Sequence, residues 1–190
     1  MSAKETLEDV YQQYISSQKI YDFAKNRTKR EPNFGIEIIP YPHKAKKTQL
    51  KSHIVDDYFD KLCTDITELY VLKIITTFEK IVFDKIADAY RIIESVITKE
   101  YRKRHSKQEP TTLHKSVTSL IKTKEDIFSL SGAKDILEKQ ISRDSLENLT
   151  EIIEYRNWLS HGKRQDVGKD STLTIEEIKD ILIKIVDEIG

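Results

Sequence analysis

Apolar residues recur every three or four positions along most of the chain, which is the spacing of an amphipathic helix. The first such segment runs from Lys4 to Lys29 and ends in a basic cluster, which suits a helix C-terminus. Its apolar stripe consists of Leu7, Val10, Tyr11, Tyr14, Ile15 and Tyr21. Because an isolated helix is marginal in water, we expect this N-terminal helix to dock on the rest of the chain or on a partner.

The helical pattern stops between Glu31 and His43. This stretch contains three prolines and one glycine around the β-prone run Phe34–Ile39. We interpret it as an extended linker or a short strand. The sequence therefore predicts a boundary, with the N-terminal helix and Pro-containing linker in residues 1–43 and a helical domain in residues 44–190.

Residues 44–109 contain neither glycine nor proline. This run is longer than an ordinary globular helix, so we expect a break near Cys63. There, Asp65 and Glu68 have the spacing of a capping box that would start a second helix. The second helix is expected to end within the basic residues 99–107.

Turn-forming and capping residues divide the rest of the chain into shorter helices. Pro110 opens one, and a second is expected within 131–141. A third begins at the capping-box spacing of Asp144–Glu147 and ends before Gly162, where a left-handed residue is favoured. Thr174–Glu177 is a capping box for the last helix. Two long helices and several shorter ones predict an all-α helical bundle, preceded by the N-terminal helical arm.

Composition narrows the functional classes. Cys63 is the single cysteine, so no disulfide framework forms, and a reducing, cytoplasmic location is expected. No apolar run approaches the roughly 20 residues that cross a bilayer, and the charged start is unlike a signal peptide. Thirty-two basic residues balance 32 acidic ones, which excludes binding of nucleic acid over the whole surface but leaves local basic patches.

Most enzyme signatures are absent from the sequence. It contains no GxGxxG, GxxxxGK[ST], GxSxG or HExxH motif. Four histidines are scattered without ligand spacing, namely His43, His53, His105 and His114. Cys63 lies in an amphipathic stretch and is interpreted as a core residue. No metal and no cofactor are predicted.

One stretch carries candidate chemistry: EYRNWLSHGKR, residues 154–164. Arg156 offers a planar fork of donors to phosphoryl oxygens, and a histidine such as His161 exchanges protons near neutral pH. On an ideal helix the two residues would be about 140° apart and roughly 7.5 Å along the axis. They converge only if the helix ends at His161 or if a partner surface covers both.

The motif lacks paired carboxylates at metal-ligand spacing. Cleavage of a phosphodiester without metal is easiest with an internal nucleophile, and RNA supplies one in its 2′-hydroxyl. The residues therefore favour RNA over DNA as a substrate.

At these positions the sequence resembles HEPN domains (higher eukaryotes and prokaryotes nucleotide-binding). Arg156-Asn157-(x)3-His161 matches their Arg-(x)4–6-His motif, and the string RNWLSHG is most similar to the RiboL-PSP-type branch. The resemblance also takes in an earlier helix, where Glu79 stands at a position that is often acidic in that branch. It covers roughly residues 52–190.

The resemblance implies a HEPN-like fold and a metal-independent endoribonuclease that works as a homodimer, with two Arg/His sites meeting at the interface. His161 would be the general acid/base, Arg156 would stabilise charge on the phosphate, and Asn157 would orient the phosphate or the catalytic groups. Glu79 would be auxiliary. Cleavage would leave a 2′,3′-cyclic phosphate. A role in toxin–antitoxin or antiviral defence is implied, with an antitoxin or regulatory protein as a further partner.

Two more basic side chains, Lys163 and Arg164, follow the motif directly and are candidates for binding RNA phosphates.

Other interpretations stay open at this point. Arg156 could pair with Glu151 or Glu154 while His161 only caps a helix, and Glu79 could be a solvated charge. The chain could then be a non-catalytic HEPN module for dimerisation, nucleotide or partner binding. A motif locked to a carboxylate and buried favours the module, and an open basic cleft favours the nuclease.

Overall fold

A computed structural model of the chain describes residues 2–31, 39, 52–104, 130–164, 168 and 170–190. These residues form five helices: α1 (Ala3–Arg30), α2 (Ser52–Arg104), α3 (Leu130–Leu137), α4 (Arg143–Ser160) and α5 (Ile175–Glu188). The described residues contain no β-strand, so the all-α prediction is confirmed. The predicted domain boundary at residue 43 and the helix expected after Pro110 lie outside the described residues. No helix in the described ranges is long and apolar enough to cross a membrane.

Helix α2 is continuous over 53 residues, so the predicted break near Cys63 is wrong. The hydroxyl of Thr64 donates to the carbonyl of Asp60 at 3.0 Å, and that of Thr67 donates to the carbonyl of Cys63 at 2.7 Å. Both hydroxyls therefore bond to carbonyls of their own helix, and no new helix begins at the predicted cap Asp65. With no glycine or proline to stop it, the helix continues through this region.

By compactness, the chain forms two units, and the first consists of Met1–Ile74 and Thr172–Lys179. In this unit α1 runs antiparallel to the beginning of α2. The hydroxyls of Tyr14 and Thr67 lie 3.3 Å apart, and the Lys25 ammonium lies 2.6 Å from the Asp60 carboxylate. The expectation that the N-terminal helix docks on the chain is thus confirmed. The buried apolar residues of this unit are Leu7, Val10, Ile39, Val55, Phe59, Val71, Ile74, Ile175 and Ile178.

The second unit consists of Ile75–Ser171 and Asp180–Gly190, and it contains α4. Its core brings one face of α4 together with residues of α2, α3 and α5. The buried apolar residues of this unit are Ile75, Phe78, Val82, Ala133, Leu137, Ile141, Leu149, Ile152, Ile153, Leu182, Ile185 and Val186.

The N-terminus of α4 is capped by Ser142, two residues before the predicted Asp144. Glu188 of α5 accepts hydrogen bonds from the Ser142 N–H and from the hydroxyls of Ser142 and Ser145, each at 2.9 Å. Burial alone would raise the pKa of Glu188, but these hydrogen bonds and the nearby Lys184 outweigh it and lower that pKa. A contact from α5 therefore selects the residue at which α4 begins.

The predicted capping box of the last helix is confirmed. The Thr174 N–H donates to Glu177 Oε2 at 2.7 Å, and the Glu177 N–H donates to Thr174 Oγ1 at 3.2 Å. Hydrogen bonds from the Thr174 backbone and hydroxyl lower the pKa of Glu177. Helix α5 accordingly starts at Ile175, as the sequence indicates.

Candidate functional site

Helix α4 ends at Ser160, and its C-terminus forms a Schellman motif that includes His161. The Gly162 N–H donates to the Leu159 carbonyl at 3.2 Å, and the Lys163 N–H donates to the Trp158 carbonyl at 2.7 Å. Gly162 has φ +69°, the left-handed conformation that glycine adopts without a steric penalty. The predicted helix end at Gly162 is confirmed.

This motif fixes the backbone of His161, which is the C-cap residue. Its N–H donates to the Asn157 carbonyl at 3.0 Å, so the residue still belongs to the helical hydrogen-bond pattern. The His161 side chain is exposed, and no hydrogen bond or ion pair of the imidazole is found with the described residues. The backbone is therefore held while the imidazole stays open to a ligand.

Arg156 lies on the apolar stripe of α4. Leu149, Ile152 and Ile153 are buried at helical spacing, and Arg156 is the next position on the same face. The stripe packs against the core, so this arginine is directed toward α2. Its Nη2 lies 3.3 Å from Oε1 of Glu79, in an ion pair whose side chains are 36% and 12% exposed.

Asn157 holds the guanidinium from a second direction. Its Oδ1 accepts a hydrogen bond from Arg156 Nη1 at 3.1 Å. We call Arg156, Asn157 and Glu79 the arginine cluster. The structure thus brings together three of the four residues predicted to be catalytic or auxiliary, and it places the fourth, His161, at the end of α4.

Glu79 is not a solvated charge, because its side chain is mostly buried beside Arg156. Burial raises the pKa of the Glu79 carboxyl, and the positive charge of Arg156 offsets only part of that effect. Glu79 is a more readily protonated acid than an ordinary glutamate. Groups whose pKa is shifted by burial and by a charged neighbour are enriched at functional sites.

Glu151, one of the acidic residues considered as a partner of Arg156, is engaged elsewhere. It accepts a hydrogen bond from the Ser171 hydroxyl at 2.5 Å. The chain that follows the motif also approaches α4 at Gly168, where a Cβ atom would lie 2.2 Å from the Glu154 carbonyl oxygen and 2.7 Å from the Trp158 nitrogen. Only glycine fits there, a requirement the sequence analysis missed.

Lys163 and Arg164, the two candidate phosphate-binding residues, are both exposed. Lys163 is itself left-handed, with φ +65°. Its ammonium lies 5.6 Å from the centroid of the Trp158 ring. Trp158 in turn stacks on Tyr155, with centroids 6.0 Å apart and an interplanar angle of 26°. The sequence analysis did not identify this arrangement, although the three-residue spacing of Tyr155 and Trp158 is visible in the sequence.

No group of three or more His, Cys, Asp or Glu side chains in the described ranges is arranged to hold a metal ion. A scan against protein-family models, a search of curated proteins and a search of solved structures each found no match.

Proposed function

We propose that the chain is a metal-independent endoribonuclease of the HEPN type, which cleaves RNA by transesterification from the 2′-hydroxyl. One observation carries the proposal. Glu79 and Asn157 hold the guanidinium of Arg156, whose side chain is 36% exposed, and the exposed His161 follows five residues later with a fixed backbone. This combination offers an oriented anion-binding group and an accessible proton-transfer group.

In the proposed reaction the 2′-oxygen attacks the adjacent phosphorus and a 2′,3′-cyclic phosphate forms. The bond from phosphorus to the 5′-oxygen of the next nucleotide breaks. A base takes the proton of the 2′-hydroxyl, and an acid gives a proton to the departing 5′-oxygen. The arginine stabilises the negative charge that develops on the non-bridging oxygens.

A single chain offers one His161, whereas the reaction uses a base and an acid. We therefore place the reaction at the interface of a homodimer, where two-fold symmetry supplies the second histidine and the second Arg156. Asn157 and Glu79 act as positioning residues, because both contact the guanidinium. Lys163 and Arg164 hold the RNA backbone by charge.

The biological setting of the proposal is toxin–antitoxin or antiviral defence. A protein partner that blocks access to His161, such as an antitoxin or regulator, belongs to the same proposal. It rests on the family resemblance of the motif.

A non-catalytic module for dimerisation, nucleotide or partner binding is the second candidate, and the Arg156–Glu79 ion pair favours it. A guanidinium that already has a carboxylate partner is partly neutralised before any phosphate arrives. In this alternative the arginine cluster is structural, and His161 is only the residue at a helix end.

The deciding experiment incubates the purified full chain with end-labelled RNA in EDTA and analyses the product ends. We expect cleavage with 2′,3′-cyclic phosphate ends and none on DNA. His161→Ala should lose about 10²–10⁴-fold in rate. His53→Ala, at an exposed histidine of α2, is the matched control and should retain the wild-type rate.

Arg156 gives a second arm of the same experiment. Arg156→Lys should rescue activity poorly relative to Arg156→Ala, because an ammonium cannot reproduce the planar fork. A demand for Mg²⁺, or cleavage of DNA, would overturn the mechanism. A wild-type rate from His161→Ala would instead support the non-catalytic module.

A further inference from the structure

Two aromatic rings on α4 lie away from its core-facing side. Trp158, the single tryptophan of the chain, is about 180° around the helix from the buried Leu149. Its ring stacks on Tyr155, one turn earlier. Both rings are only partly buried, so neither serves the interior of the unit as the residues of the apolar stripe do.

The positively charged side chain of Lys163 lies close to the Trp158 ring of this pair. The Lys163 ammonium lies 5.6 Å from the Trp158 ring centroid, within the range of a cation–π contact. Lys163 reaches the ring because it follows Gly162 in a second left-handed conformation, with φ +65°. That conformation is unfavourable for a residue with a side chain, and strain of this kind clusters at ligand sites.

We propose that Tyr155, Trp158 and Lys163 form a stacking site for a nucleobase of single-stranded RNA, adjacent to the phosphate that is cleaved. The identity of the ligand rests on the proposed function. A base would stack on the Trp158 ring, and the Lys163 ammonium would move from the ring to the neighbouring backbone phosphate. Every base has a π face, so the site tolerates different sequences.

The position of the rings relative to the motif supports this assignment. Trp158 precedes His161 by three residues, about 4.5 Å along the helix axis and about 60° around it. Trp158 therefore lies on the histidine side of the helix end. A strand whose scissile phosphate meets His161 would bring a flanking base to the Trp158 ring.

The competing explanation is local. A Schellman motif commonly includes an apolar contact between the residues that here are Lys163 and Trp158, and the lysine stem alone could supply it. Under that explanation the contact between Lys163 and the rings only stabilises the C-terminal end of α4. The two accounts differ in one respect: only a stacking site distinguishes RNA with bases from RNA without them.

Fluorescence of the single tryptophan provides the test. The full chain is titrated with a 2′-O-methyl RNA octamer, which lacks the nucleophile and is not cleaved, and with an abasic octamer of the same phosphate number. We expect the base-containing octamer to quench the tryptophan to saturation and to bind roughly 10- to 100-fold more tightly than the abasic one. Equal affinity for the two octamers, or binding without quenching, overturns the proposal.

Variants make a second arm, read by anisotropy of a labelled 2′-O-methyl octamer. Trp158→Leu should bind about 10-fold or more weakly, whereas Phe23→Leu, at a 66% exposed aromatic of α1, should bind as wild type. Lys163→Gln should reduce the salt dependence of binding by about one charge. If Trp158→Leu does not fold, the fluorescence titration of the wild-type chain still decides the question.

The experiments distinguish a failure of the proposed ribonuclease activity from a failure of the proposed stacking site. Base-selective quenching without any cleavage of ordinary RNA would leave the stacking site standing and overturn the nuclease. Cleavage with no preference between the two octamers would overturn the stacking site alone. Failure of the base-containing octamer to bind would overturn the stacking site whatever the cleavage result.

Discussion

At the scale of single residues, Glu79 is held at a cost in stability. Burial penalises its charged form more than Arg156 favours it, so folding raises the pKa of this carboxyl. If the side chain at position 79 only packed α2 against the core, an apolar residue there would give a more stable fold than glutamate. The charge is explained if Glu79 keeps the guanidinium of Arg156 oriented for a ligand.

We predict that Glu79→Gln stabilises the fold at neutral pH. The raised pKa means that the contribution of Glu79 to stability is fully present below its ordinary value and is lost as pH rises through the folded value. The free energy of unfolding of the wild type should therefore fall below that of the Gln variant as pH rises from 4.5 toward neutral. Urea midpoints across that range measure the difference.

The control for this prediction is Asp84→Asn, at an exposed carboxylate on the same helix. Its midpoint should follow the wild type at each pH. A Glu79→Gln variant that is less stable than wild type at pH above about 7 would show that the ion pair with Arg156 outweighs the burial of the carboxyl.

The two glycines near the motif are predicted to be required for different reasons. Gly162→Ala meets no atom within 4 Å but must adopt φ +69°, at a cost of roughly 1–2 kcal/mol. Gly168→Ala would place a Cβ atom 2.2 Å from a backbone oxygen, and overpacking of this kind costs about 1–3 kcal/mol.

Asparagine substitutions, measured by urea unfolding, distinguish the left-handed backbone at Gly162 from the lack of space at Gly168. It tolerates the left-handed conformation, so Gly162→Asn should recover much of the loss that Gly162→Ala shows. Gly168→Asn should be no better than Gly168→Ala, because it also carries a Cβ atom. Recovery by Gly168→Asn would mean that the approach to α4 relaxes easily.

These residues show where sequence reasoning succeeds. The end of α4 at Gly162 follows from local chemistry, since a left-handed turn selects glycine wherever it occurs. The Arg156–Glu79 ion pair joins residues 77 positions apart, so the neighbouring acids Glu151 and Glu154 were equally plausible partners from the sequence. Position on the apolar stripe of α4 was the available signal, because it directs Arg156 toward α2.

At the scale of helices, one capping-box spacing in the sequence predicted a helix start correctly and another did not. Thr174 caps α5 as predicted, because a free N-terminus needs its own side-chain acceptor. Asp65–Glu68 has similar spacing but lies inside α2, where the N–H groups already have helical partners. Capping spacing predicts a helix start only where something stops the preceding helix, and residues 44–109 hold no glycine or proline to do so.

The pairing of α1 with α2 should weaken in acid. Hydrogen bonds from Lys29 and Lys25 lower the pKa of Asp56 from 3.8 to about 2. The stabilisation is therefore present above pH 3.8 and is lost as pH falls toward 2. Thermal midpoints between about pH 6 and pH 2 should fall less for Asp56→Asn than for wild type.

Asp57→Asn, at the exposed neighbouring position, serves as the matched variant for this measurement. It should show the same acid dependence as wild type. Identical acid dependence of Asp56→Asn and wild type would indicate that the two lysines stabilise the folded and unfolded states equally.

At the scale of the whole molecule, the proposed reaction predicts self-association. Sedimentation at micromolar concentration should give twice the chain mass of 22.2 kDa. Catalysis at a shared interface also predicts that mixing inactive His161→Ala with wild type changes activity per wild-type chain, because mixed dimers have one histidine. A strictly monomeric mass accompanied by full activity would contradict the shared site.

The cap that Glu188 places on α4 has a kinetic consequence. It is made 46 residues along the chain from Ser142, so forming it requires closure of a long loop. Whenever α5 detaches, the Ser142 N–H and the Ser142 hydroxyl, which caps the Ser145 N–H, lose this acceptor. Hydrogen exchange at the start of α4 should therefore follow that of α5. The helix that carries the arginine and histidine would open and close together with the last helix, as one cooperative unit.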